Sequence, residues 1–269
     1  KREYPNMNVV GEVLDGDPAH VAFFQGGRVR FDGVDSRLDT LFDFPLFYPL
    51  RRAFAEGKSI VGIPQTLGQD QLYPNPSVLV TLLGNHDVGR FMGEPGATTA
   101  GLKLAQTLIM TTRGAPQLYY GDEIALPGGG DPDNRRDFPG GFPGDARSAF
   151  ERAGRGAAEQ RMYEWTRDWI RLRREHAAIR GGAHVDLVFD DDAYAFARRD
   201  ARETIVVAIN RAAVPKKLRL PAAALEARDG AQLVPLAGVT KAAERVPVAG
   251  DGASLTVAPR SAVAYRLAP

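Results

Sequence analysis

The chain contains no cysteine. That excludes a disulfide scaffold, a thiolate metal site and a cysteine nucleophile. It also lacks a charge excess. The 34 Lys and Arg residues stand against 33 Asp and Glu, a formal net charge of +1. Neither a basic nucleic-acid-binding surface nor an acidic disordered tail is supported by that balance, so no nucleic-acid partner is expected. No apolar run approaches the ~20 residues that a membrane-spanning helix needs, and no membrane partner is expected. What is present is ordinary for a globular protein of 269 residues: 44% hydrophobic and 25% charged. That suffices for one large or two smaller domains with a buried core. One quantity is high. The 29 glycines and 19 prolines make up about 18% of the chain against a usual ~12%, which predicts many sharp turns and long shaped loops.

Through the first two thirds one arrangement recurs: a short apolar run, a loop rich in Gly, Pro and Asp, then a helical pattern. Strands are predicted at 8–13, 38–44, 78–83 and 115–120. Their starts lie roughly 30 to 40 residues apart, near the ~31 expected when about 250 residues are shared among eight βα units. Continuous apolar strands imply burial on both faces, as in a parallel sheet. Helices are predicted at 48–56, 97–112 and 157–179. The last carries Met162, Trp165, Trp169, Leu172 and His176 on one stripe, and there His176 reads as a core or interface histidine. After Gly181-Gly182 the runs become short and partly alternating, with turn residues between them, which predicts a small antiparallel β-domain. The expected fold class is therefore α/β: residues 1–182 as the C-terminal half of a (β/α)8 barrel, and residues 183–269 as a small all-β sandwich. Half a barrel leaves parallel edge strands with bare N–H and C=O groups, which is unfavourable in water. An upstream half, on the same or a separate chain, is the expected partner.

In a parallel barrel, functional side chains project from the carboxyl ends of the strands. The first predicted strand ends in Gly11-Glu12-Val13-Leu14-Asp15. The third ends in Leu83-Gly84-Asn85-His86-Asp87, three polar groups directly after an apolar run. Asp43 at the second strand end also offers a carboxylate to the mouth. A carboxylate at the end of a buried strand is costly unless it is paired or functional. Glu12 alone is as compatible with a structural ion pair as with a catalyst. Two carboxylates at one mouth suit acid/base chemistry, and glycoside cleavage in particular. The stretch 126–156 is long, glycine-rich and acidic, without a phosphate-loop pattern, and reads as a substrate-binding rim. Phe138 and Phe142 either stack on sugar faces there or pack the loop down. The arginines at 167, 171, 173 and 174 read as a solvated helix face.

Three motifs taken together resemble successive regions of the α-amylase family, glycoside hydrolase family 13. They are Gly11-Glu12-Val13, Leu83-Gly84-Asn85-His86-Asp87 and Gly114-Ala115-Pro116-Gln117-Leu118-Tyr119-Tyr120-Gly121-Asp122-Glu123. Phe42-Asp43-Phe44-Pro45-Leu46 and Asp131-Pro132-Asp133-Asn134-Arg135-Arg136 are most similar to the neopullulanase and cyclomaltodextrinase branch. The resemblance covers the whole chain, since that family also ends in a small all-β domain.

The resemblance implies a retaining glycosidase acting on α-1,4-linked glucans, namely starch, maltooligosaccharides, and within reach cyclodextrins or pullulan. An α-glucan oligosaccharide or polysaccharide is thus the implied partner. Glu12 would be the general acid/base, and Asp87 the carboxylate that stabilises the transition state through sugar hydroxyls. His86 would hydrogen-bond the same ring, and Asn85 would shape the turn. Asp131 and Arg135 match positions that hold the next sugar on the non-reducing side, although a loop-internal salt bridge accounts for them equally well. Asp122 and Glu123 read as support beneath the mouth. No cofactor and no metal site is expected within the chain, and any structural Ca²⁺ would come through the upstream half. The sequence departs from the family in two places. Leu14 stands where many members have Trp. The family's nucleophilic aspartate lies upstream of anything present, so this segment alone is expected to be inactive. A transglycosylase on the same fold, or a non-catalytic sugar-binding relative, are the alternatives.

Overall fold

The computed structural model describes residues 2–240 and 244–269. Its first part alternates strand and helix. In order come β1 (Val10–Gly11), α1 (Pro18–Phe23), β2 (Thr40–Leu41), α2 (Phe44–Phe54), α3 (Gly62–Leu67), β3 (Val80–Thr81), α4 (Thr99–Thr111), β4 (Ala115–Pro116), α5 (Ala157–Glu175) and α6 (Ala177–Gly181). β1 runs parallel to β2, with Gly11 opposite Leu41, and β3 runs parallel to β4, with Val80 opposite Ala115. A parallel bridge between Phe42 and Val80 joins the two pairs, so the four strands lie side by side in chain order.

These ladders are two residues long, shorter than the predicted runs. Side chains and proline cut them. The Val9 N–H goes to the Asp39 carboxylate (2.8 Å), and Pro116 has no N–H to give. Two glycines let the strands approach. A Cβ on Gly11 would lie 2.6 Å from Leu38 Cδ1, and one on Gly114 would lie 2.4 Å from the Leu79 carbonyl oxygen.

Helix α2 starts four residues before the predicted point. Asp43 caps it by accepting from the Leu46 N–H (3.3 Å), and Pro45 fits the first turn, where an N–H has no helical partner. α4 is capped by Thr98 Oγ1, which accepts from the Gly101 N–H (3.0 Å). The helix predicted over 157–179 is broken. His176 is extended at φ −108°, ψ 109°, and its Nδ1 meets Glu203 Oε2 at 2.8 Å.

The second part comprises β5 (Ala183–Phe189), β6 (Ala193–Arg199), β7 (Thr204–Asn210), β8 (Lys216–Pro221), α7 (Ala222–Leu225), β9 (Gln232–Pro235), β10 (Val246–Pro247), β11 (Gly252–Val257) and β12 (Ser261–Ala268). Six of these strands form an antiparallel sheet in the order β10-β9-β12-β7-β6-β5, while β8 pairs with β11. The two-residue period of a strand sorts the central side chains to opposite faces. Tyr194, Phe196, Ile205, Val207 and Ile209 join a cluster with Leu108, Ile109, Trp169 and Ile179. Ala193, Ala195, Ala197, Val206 and Ala208 join another with Leu218, Leu220, Leu255 and Val257. One apolar cluster therefore runs across position 182, and the central strands are buried on both sides.

Candidate active site

The β3 strand delivers Leu82 and Leu83 into the core, and the chain then turns outward through Gly84. Asn85 makes the turn. It is 3% exposed, and its Oδ1 accepts from the Asp87 N–H (2.9 Å) and the Val88 N–H (3.2 Å). Its Nδ2 donates to Glu12 Oε1 at 3.2 Å. One buried amide thus holds the carboxylate that follows β1 and the backbone that presents Asp87. Glu12, His86 and Asp87 are all exposed, and His86 Nε2 lies 3.3 Å from Asp87 Oδ2.

The loop after β4 closes over this turn. Asn134 is fully buried, and its Nδ2 donates to the carbonyls of His86 (2.9 Å) and Val88 (3.0 Å). Arg135 Nε donates to the His86 carbonyl at 3.0 Å and to Asp131 Oδ1 at 2.9 Å, and its Nη2 lies 3.5 Å from Asp87 Oδ1. The loop-internal salt bridge therefore exists, and the same guanidinium also reaches Asp87. These groups are half exposed, so the ion pairs add little stability; their effect is to position. The six residues singled out in the sequence (Glu12, Asn85, His86, Asp87, Asp131 and Arg135) are linked in one hydrogen-bonded group.

Beneath them lie arginines that local sequence patterns did not reveal. Arg90 is fully buried, with its guanidinium 4.5 and 4.6 Å from the Tyr119 and Tyr120 ring centres. Nη1 donates to the Tyr120 carbonyl (2.6 Å), while Nε and Nη2 have no hydrogen-bond partner among the described residues. Asp122 sits 3.9 Å from Nη1. Burial pushes the Asp122 carboxyl up to about 7, against the opposing pull of Arg90. Arg51 donates to the carbonyls of Leu83 (2.9 Å) and Gly89 (2.8 Å) and pairs with Glu94. Glycines distant in the chain make room for Arg90. A Cβ on Gly121 or Gly128 would crowd its side chain at 3.2 and 3.0 Å.

Two expectations from the sequence need correction. Asp43 does not face the mouth; it is fully buried, caps α2 and forms an ion pair with Arg113, which also meets Asp70 at 2.7 Å. Arg173 leaves the solvated helix face and turns inward, donating to the carbonyls of Met110 (2.9 Å), Thr112 (3.1 Å) and Gly114. The 126–156 loop is shaped by its own local structure. It contains helical turns at Asp133–Arg135 and Arg152–Gly154, and Phe138 packs 4.6 Å from the Phe150 ring while Phe142 stays exposed. Glu123 accepts from the Gly121 N–H (2.7 Å), a supporting contact. Among the described residues no three His, Cys, Asp or Glu side chains are placed to hold a metal ion.

The chain is similar to proteins of one enzyme group. It is 29% identical over 212 residues to a β/α-amylase of Paenibacillus polymyxa, covering 76% of this chain and 16% of that protein. It is 30% identical over 142 residues to a cyclomaltodextrinase of Geobacillus thermopakistaniensis, covering 52% and 22%. Its fold matches a solved α-amylase of Geobacillus thermoleovorans with a TM-score of 0.80 at 26% identity, covering 98% of this chain and 54% of that one. The chain thus spans about half of that solved structure and a quarter or less of the two sequence relatives. Residues 1–179 match the model of the alpha-amylase catalytic domain, and the chain belongs to the α-amylase family.

Proposed function

We propose that this chain is the part of a retaining α-glucan-cleaving enzyme that carries the proton donor. On this reading residues 1–182 are the second half of a (β/α)8 barrel, equivalent to its strands five to eight, and residues 183–269 are a C-terminal β-sandwich domain. Glu12 gives a proton from its carboxyl to the glycosidic oxygen as the C–O bond breaks. It later takes a proton from the water that releases the sugar. Asp87 and His86 bind hydroxyls of the ring at the reacting carbon, and Asp131 and Arg135 bind the next sugar on the non-reducing side. The second carboxylate of a retaining pair must stand about 5–5.5 Å from the acid. The segment before Glu12 contains no Asp. That nucleophile is assigned to an upstream half, as is any structural Ca²⁺.

The observation that carries the reading is Asn85, whose amide holds Glu12 on one side and the Asp87 backbone on the other. A geometry of that kind orders an acid relative to the groups that bind the sugar. The Geobacillus thermoleovorans relative was solved with acarbose, which supports an α-glucan ligand. Linear α-1,4 chains, starch fragments and cyclodextrins are the substrates proposed. A sugar acceptor in place of water would make the same site a transglycosylase.

The test uses the complete protein together with the present chain alone. Glu12→Gln is expected to lower kcat by about 10²–10⁴-fold with an unchanged melting profile. The present chain alone is expected to show no turnover of maltooligosaccharides. Unchanged turnover in Glu12→Gln rejects its role, sugar binding without turnover by the complete wild-type protein favours a non-catalytic relative, and robust turnover by the chain alone rejects the upstream nucleophile.

A further inference from the structure

One cavity is lined by none of the strand-end residues. A pocket of about 310 Å³ opens between the first turns of α4 and α5 and the tight turn that joins β11 to β12. Its walls follow from helix spacing. Thr99 and Lys103 are four residues apart on α4, Arg161 and Trp165 four apart on α5, so each pair shares a face. Arg260 and Ser261 close the third side, and the remaining lining residues are the small Ala100 and Ala158. Three cationic residues, Lys103, Arg161 and Arg260, thus line one pocket, with no Asp or Glu among the described lining residues, in a protein whose charges otherwise balance.

The acids of α5 are committed elsewhere. Glu159 pairs with Arg147 (2.8 Å), Glu164 with Arg152 (3.3 Å) and Asp168 with Arg167 (2.9 Å). Among the described residues neither Arg161 nor Arg260 has an ion-pair partner. The indole is fixed, since Trp165 Nε1 donates to the Lys103 carbonyl at 3.0 Å, and Lys103 Nζ sits 5.3 Å from the ring centre. Arg260 is held in the left-handed region at φ +47°, with its N–H on the Ala212 carbonyl (3.0 Å). The first turns of both helices add the positive ends of their dipoles to the same wall.

We propose that this pocket binds a phosphate group, carried either by free orthophosphate or by a sugar phosphate ester. Two guanidinium forks and an ammonium match a multiply charged tetrahedral oxyanion better than they match a single halide charge. The Thr99 hydroxyl adds a donor, whereas the Ser261 hydroxyl is spent on the Ala258 carbonyl (2.8 Å), and the volume beside Trp165 leaves room for a sugar ring. Binding here does not depend on Glu12, so it stands or falls apart from the proposed catalysis.

The test titrates the full chain, at constant ionic strength, with orthophosphate, glucose 6-phosphate and sodium chloride, followed by calorimetry and tryptophan fluorescence. Saturable binding of a phosphate species, and none of chloride, is expected. Arg161→Gln and Arg260→Gln should each weaken it about tenfold, and the double variant should abolish it with an unchanged circular dichroism spectrum. Ala158→Asp removes no contact and places a carboxylate in the wall; it should give the same loss, so a folding defect in the arginine variants does not decide the matter. Tighter binding of glucose 6-phosphate than of orthophosphate assigns the sugar ester, and equal affinity assigns the free ion. No saturable binding of either up to ~20 mM, chloride competing equally, or wild-type affinity in both the double variant and Ala158→Asp overturns the proposal.

Discussion

The parallel part and the antiparallel sheet solve the same problem by different means. In the sheet, β6 and β7 pair over seven residues in unbroken register. The backbone ladder supplies the order, and the side chains only need to alternate. In the parallel part each ladder lasts two residues, and buried or half-buried polar side chains supply the order instead. Arg51, Arg90, Arg113, Arg173, Asn85 and Asn134 reach across to carbonyls, amides and carboxylates on neighbouring loops. Loops that present side chains to a ligand cannot also be extended ladder, so their shape depends on such long polar tethers. The sheet should then be sensitive to apolar substitutions and the parallel part to polar ones.

The largest expected effect is at Arg113. Arg113→Met leaves the buried Asp43 and the partly exposed Asp70 without their cation and should lower unfolding free energy by about 3–5 kcal/mol, read by denaturant titration. A loss under ~1 kcal/mol would mean that these tethers are dispensable, and the contrast with the sheet would fail.

Asn85→Ala comes next. In the complete, active protein it should lower kcat/KM about 100-fold, or ~2.7 kcal/mol, with most of the loss in kcat because Glu12 and Asp87 lose their common anchor. A change confined to KM would reassign Asn85 to binding alone.

The two regions should also answer to pH in opposite directions. The Asp122 carboxyl is raised from 3.8 to about 7 by burial. Its folded form prefers the proton, so its contribution to stability is full below pH 3.8 and is lost as pH rises through 7. Between pH 5 and 8 that loss should be about 2 kcal/mol, and Asp122→Asn should remove it; identical pH slopes in both proteins would contradict this. In the sheet, burial lowers the His184 pKa below 6.5, with Asp186 opposing. Its contribution is present above 6.5 and is lost as the solution is acidified through the folded value. A smaller effect should appear as lower amide protection factors in β5 and β6 at low pH, and His184→Gln should flatten it.

The sequence made visible what is local. Asn85, His86 and Asp87 stand out because three polar residues follow an apolar run directly. The β5 to β8 strands and β12 stand out because their runs are short, alternating and bounded by turn residues. The tethers were invisible because their partners are distant: Arg90 meets Tyr120 30 residues on, and Asn134 meets His86 48 residues back. Asp43 was misplaced for the same reason, since the Arg113 that draws it inward lies 70 residues away. The six-residue helices α1 and α3 were too short for a helical period to register, and Pro45 disguised the start of α2. Nothing in the run 157–179 announces the break at His176, which depends on Glu203 reaching it from the turn before β7.

The two-faced sheet limits how this protein can be cut. Tyr194 and Phe196 lie among the helices while Ala195 and Ala197 lie against β8 and β11. A truncation at the Gly181-Gly182 pair would strip an oily roof from one fragment and leave the other with a bare aromatic floor. Neither piece is expected to stay in solution by itself, so an expression boundary for this molecule belongs outside that pair, however inviting two adjacent glycines look as a hinge.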